Sequence, residues 1–157
     1  MTKLTTCLVN RMAAISAIAL ITACGSNSPT TPVPTPTPTP APVMTLVSQG
    51  SSTNLTAHHV HLQSFTTAST GRIDVVVDWT FATDDVFVVV ASGDHTCFNG
   101  QFIDFNICNV IASVRGAGKP EKLSMPGQPA GVYTLYVDNI GPNTEAISWQ
   151  VFVTSPG

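Results

Sequence analysis

From Met44 onward the chain alternates apolar with polar side chains and never settles into a helical period, a rhythm only extended strands accommodate. It is strictest between Arg72 and Phe81, where Ile73, Val75, Val77, Trp79 and Phe81 share one side and Asp74, Asp78 and Thr80 the other. Successive side chains of a strand point to opposite faces, so this segment buries one face and wets the other. Ala82-Thr83-Asp84-Asp85 has the chemistry of a turn, and the VFVVVA run from Val86 to Ala91 reads as a strand covered on both faces, central in its sheet. Tyr133, Leu135 and Val137 alternate with Thr134, Tyr136 and Asp138. After the turn from Asn139 to Asn143, Ile147, Trp149, Val151 and Val153 alternate with Ser148, Gln150 and Phe152, and the two runs read as a terminal hairpin. Weaker candidates at Met44 to Ser48, Leu55 to Phe65, Phe102 to Cys108 and Val110 to Val114 bring the total to about eight. The expectation is an all-β antiparallel sandwich, jelly-roll-like, over residues 44–157.

The first residues have another character. Residues 1–11 carry Lys3 and Arg11 without an acid, residues 12–23 (MAAISAIALITA) are small or apolar throughout, and the run stops at Cys24-Gly25-Ser26. That is the layout of a secretory signal. A helix needs about 20 residues to cross a bilayer, so this shorter run reads as a signal core rather than a retained span. Ile21-Thr22-Ala23-Cys24 resembles the lipobox of bacterial lipoproteins. The resemblance implies removal of residues 1–23 and lipidation of Cys24, whose acyl chains, palmitate among them, would anchor the protein permanently. It places the protein in a bacterial cell envelope. With Gly25 rather than Asp after the cysteine, it implies the outer membrane if the host is Gram-negative, with the domain facing the periplasm or the outside. The alternative reading of the same residues is an ordinary signal peptide cut after Ala23.

Seven of the twelve prolines fall in PTTPVPTPTPTPAP, residues 29–42. Alternate prolines fix φ and remove amide donors, which leaves neither helix nor ladder. Residues 24–43 are therefore the lipidated start and a stiff Pro/Thr linker, whose segment from Ser28 to Val43 at polyproline II pitch reaches up to roughly 50 Å.

Loss of Lys3 and Arg11 with the signal leaves Arg72, Arg115, Lys119 and Lys122 against nine acids, which argues against nucleic acid as a partner. Once Cys7 is removed and Cys24 acylated, Cys97 and Cys108 remain, in a compartment that permits oxidation, and a disulfide between them is expected. The bracketed segment carries Phe98, Phe102 and Phe105. It reads either as an apolar lip for a ligand, formed by Phe102 and Phe105, or as a flap folded over the sandwich end. His59 and His61 would share a strand face, and with His95 they make a candidate zinc site; the alternative is that they face solvent while Val60 and Leu62 face the core. Asp84, Asp85, Asp94, Asp104 and Asp138 suit either calcium or turn chemistry. No G-x-S-x-G elbow exists and no Cys, His and acid set is left over, so no enzyme and no cofactor are expected.

Ala130 to Asn139 (AGVYTLYVDN) resembles the Gly-initiated strand of bacterial pre-peptidase C-terminal domains, and Asp85 to Val90 their alternating central strand, over residues 60–154. The resemblance implies a noncatalytic sandwich, carried in that family as an appendage of secreted enzymes. The expected function is a noncatalytic, membrane-anchored envelope lipoprotein doing structural, adhesive or protein-binding work. One alternative is a carbohydrate-binding module using the outward Tyr136 and Phe152. Another is a metal-dependent (zinc) enzyme built on the histidines. The expected partners are the membrane, through the lipid, and an envelope protein or glycan.

Overall fold

The computed structural model describes residues 37–157 apart from 95, 96, 100, 101 and 117; the signal segment, Cys24 and the start of the linker lie outside the described residues. The strands are β1 (Val43–Leu55), β2 (Val60–Thr67), β3 (Gly71–Trp79), β4 (Val86–Ser92), β5 (Phe98–Asn99), β6 (Phe102–Ile103), β7 (Asn109–Gly116), β8 (Glu121–Gln128), β9 (Gly131–Asn139) and β10 (Glu145–Ser155). Sheet A runs β1-β10-β3-β8, sheet B runs β2-β9-β4-β7, and β5 and β6 form a small ribbon. Every pairing is antiparallel. Along the eight long strands the chain changes sheet at every connection except β4 to β7, which is a jelly-roll winding.

The inward rows fill the interior: Ile73, Val75, Val77 and Trp79 of β3 and Ile147, Trp149, Val151 and Val153 of β10 lie against Tyr133, Leu135 and Val137 of β9 and Val86, Val88 and Val90 of β4. A second, smaller cluster lies on the outer side of sheet B. There Val89, Ala91 and Tyr136 are covered by Cys97 and by the partly buried Ile103 and Cys108. This is why β4 carries an unbroken apolar run, and both of its faces are covered as expected.

Four expectations are corrected. β9 and β10 are not a hairpin: β9 pairs with β2 and β4, and β10 with β1 and β3. The connection 140–144 is long enough to cross the gap of about 10 Å between sheets, so the apolar faces of the two strands bury each other instead of lying side by side. Phe81 does not continue the β3 core row. The Glu145 carboxyl group accepts the N–H groups of Thr80 (2.7 Å) and Phe81 (3.1 Å), the chain turns, and the Phe81 ring is 45% exposed. The run from Leu55 to Phe65 is interrupted by a turn in which His58 takes a φ of 60°, so β1 ends at Leu55 and β2 starts at Val60. From Phe102 to Cys108 only Phe102 and Ile103 form a strand.

β8 was not foreseen. Only Leu123 and Met125 mark its inward face, and Pro126 and Gly127 disguise the rest. Pro126 is tolerated because β8 is the edge of sheet A, where one row of amides needs no partner.

Candidate binding face

The outer face of sheet A is laid out in rows by the ladder. One row runs Gln49, Gln150, Val76, Lys122 across β1, β10, β3 and β8; the next holds Ser51, Ser148 and Asp78, with Pro120 just before β8. Between these rows lies an open groove of about 620 Å³, lined by Gln49, Gly50, Val76, Asp78, Ser148 and Gln150 together with Pro120 and Trp149. It crosses the strands rather than following one.

Gly50 is required at this point. A Cβ there would come within 2.9 Å of Cη2 of Trp149, whose indole extends inward beneath β1. Its missing side chain lets the indole pack against β1 from the core side.

The neighbouring polar groups on this face satisfy one another. Asp74 accepts from Arg72 Nε (2.8 Å) and Ser124 Oγ (2.7 Å), and Asp78 Oδ1 accepts from the Trp79 N–H (2.9 Å) while Lys119 Nζ stands 3.2 Å away. Lys119 also donates to the carbonyls of Trp79 and Thr80 and lies over the Trp79 ring. The exposed side chains of Gln49, Ser148 and Gln150, by contrast, have no hydrogen-bond partner among the described residues.

The residues singled out in the sequence are distributed differently. Tyr136 leaves sheet B on its outer side, as parity requires, yet it is fully buried because the disulfide loop folds over it. Its hydroxyl accepts the Cys97 N–H at 3.2 Å, and burial raises the phenol above its ordinary value against the opposing hydrogen bonds from Cys97 and Thr134. It therefore offers no ligand a surface. Phe105 is half exposed and tilts against Phe87, with ring centroids 5.9 Å apart, so it partly covers sheet B rather than forming a free lip. The side chain of Phe102 lies outside the described residues, as does His95.

His61 faces inward and packs on Trp149 with centroids 4.6 Å apart, while His59 is exposed in the turn before β2. The parity expected for β2 is thus reversed. Val60 and Leu62 join the cluster outside sheet B, and His61 takes the core side at the sandwich rim. Among the described residues no three His, Cys, Asp or Glu side chains are placed to hold a metal. Two of the aspartates act in turns: Asp84, buried, accepts from the backbone N–H (3.1 Å) and Nδ2 (2.9 Å) of Asn143, and Asp104 accepts from the Asn106 N–H (2.9 Å); Asp85 pairs with Arg115, Asp94 accepts from Ser64, and Asp138 lies within β9.

Burial holds His61 below the ordinary imidazole value of 6.5, with Nε2 enclosed and unpartnered in the described structure. The native state keeps it neutral where the unfolded chain is already protonated. Stability is therefore fully present above 6.5 and is lost as the pH falls below it. Urea midpoints measured from pH 7.5 to about 5 should fall more steeply for the wild type than for His61→Phe; parallel slopes would remove His61 from the account.

Cys97 and Cys108 form a disulfide across a separation of 11 residues, as expected. A closed loop of this size should stabilise the fold by about 3 kcal/mol through the entropy of the unfolded chain. The Cys97→Ala/Cys108→Ala variant should lose about that much in urea unfolding and bind a hydrophobic dye where the Tyr136 cluster is uncovered.

The chain is similar to the pre-peptidase C-terminal domain of collagenase from Bacillus anthracis, with a TM-score of 0.50 and 18% identity over 68% of this chain and 89% of that one. The likeness is one of fold. No protein-family model matches the sequence, and no curated protein matches it. The two segments that carry the sequence resemblance, β4 and β9, pair with each other in the centre of sheet B, Val88 opposite Val137 and Val90 opposite Leu135.

The groove residues were only half legible in advance. Alternation already turned Ser148 and Gln150 outward, but Gln49 and Gly50 lay beyond the first expected strand. Nothing in the sequence paired them with β10.

Proposed function

We propose that this protein is a noncatalytic binding module of a bacterial envelope lipoprotein, anchored through acylated Cys24 and held off the membrane by the Pro/Thr spacer. The observation that carries the binding role is the polar groove across sheet A. Its amides and hydroxyl are exposed and uncommitted, while the interior is filled by side chains. Such a face suits adhesion to an extended partner better than enclosure and conversion of a small substrate. Its position supports the reading: the spacer joins β1 at Val43, and Gln49 lies about 20 Å further along that strand at ordinary strand rise, away from the point of attachment. The anchor rests on the lipobox and the signal layout.

The full chain expressed in a Gram-negative host tests the anchor. The mature protein is expected in the membrane fraction with an acylated Cys24 as its first residue, and Cys24→Ser is expected to abolish both. A wild-type chain released with residue 24 unmodified would overturn the anchored reading. Protease shaving of intact cells then reports which side the domain occupies.

A further inference from the structure

We propose that the groove across sheet A binds a neutral, hydroxyl-rich glycan; this rests on the reading of the domain as a binding module and names its ligand class. Gln49 and Gln150 stand directly opposite each other on β1 and β10. Each primary amide offers a carbonyl acceptor and two N–H donors, the combination that neighbouring hydroxyls, which both donate and accept, can satisfy together. Ser148, one row further along β10, adds a group that also does both.

Charge narrows the class. Asp78 is the acid lining the groove, and Lys119 sits on it at 3.2 Å; Lys122 stands at the β8 end of the Gln49 row but outside the groove. Among the described lining residues there is no uncompensated charge to offset the desolvation of a phosphate or carboxylate, whereas neutral hydroxyls lose little on leaving water when amides replace their partners. The lining is apolar at Val76 and Pro120, where a sugar ring can turn its C–H face. An extended peptide is a poorer match. The groove runs across the strands and offers no free ladder edge for strand addition. Three inter-strand spacings make about 14 Å, room for a short oligosaccharide rather than one sugar.

In the next two rows toward the strand ends, Asp74, Arg72 and Ser124 are committed to one another; Gln49, Ser148 and Gln150 have no side-chain hydrogen-bond partner among the described residues. An array carrying neutral glycans, acidic glycans and peptides, probed with the full chain in detergent micelles, tests the assignment. The wild type is expected to retain at least one neutral glycan, and Gln49→Ala/Gln150→Ala to weaken it about tenfold or more with an unchanged melting temperature. Ser124→Ala, on the same face outside the groove, is expected to leave binding as it is. Retention of acidic glycans or peptides alone, no neutral glycan bound up to about 1 mM, or equal binding by the double variant would each overturn it. None of these results touches the acylation of Cys24, which the fractionation experiment reads separately.

Discussion

Trp149→Ala should lower the unfolding free energy by about 3–5 kcal/mol, the largest loss expected for any single change in this sandwich. The indole is 5% exposed, fills the rim beneath Gly50 and packs at a tilt against His61, so its removal leaves a void between β1, β2 and β10 that neither edge strand can close. The neighbouring glycine gives the explanation a second test. A methyl group added at Gly50 collides with the ring and should cost about 1–3 kcal/mol in the wild type. In the Trp149→Ala background the collision partner is gone, so the same change should cost little. Urea unfolding of the two single variants and the double variant measures the coupling, and additive losses would show that Gly50 is not there for the indole.

Glu145→Ala should cost about 3 kcal/mol, second only to the tryptophan among the single substitutions. Glu145 is fully buried at the start of β10, and one carboxyl oxygen accepts both backbone N–H groups that follow β3. Alanine leaves two donors without an acceptor at the point where the chain leaves sheet A for sheet B. Glu145→Gln keeps an acceptor oxygen of similar reach and should lose less than about half as much. If the two variants unfold at the same denaturant concentration, the paired amides are not what fixes this corner.

The corner also explains one limit of the sequence. Ile73, Val75, Val77 and Trp79 were readable as an inward row, and Phe81 continues their rhythm without a break. Only the arrival of Glu145, distant in the chain, turns the backbone at Thr80 and leaves Phe81 outside. Tyr136 shows the same limit from the other side. Its outward direction was legible, but its burial depends on a disulfide loop folding back over sheet B, and parity cannot foresee a lid. For β2, the period-2 pattern is ambiguous because Val60 and Leu62 find apolar cover on the outer side while His61 packs against a core tryptophan. Both faces are partly covered, so hydrophobicity alone does not fix the parity.

What the sequence determined by itself was local: the two-residue rhythm that makes strands, the prolines that prevent them, the central position of β4, and the pairing of the domain's two cysteines. These follow from backbone geometry and residue type within a few positions. The tertiary structure alone decided that β9 and β10 face each other across the core instead of pairing, that Gln49 meets Gln150, and that Tyr136 is sealed while the sheet A groove stays open. Those outcomes depend on which strand becomes whose neighbour, a choice made by the simultaneous burial of several apolar faces that no single segment contains.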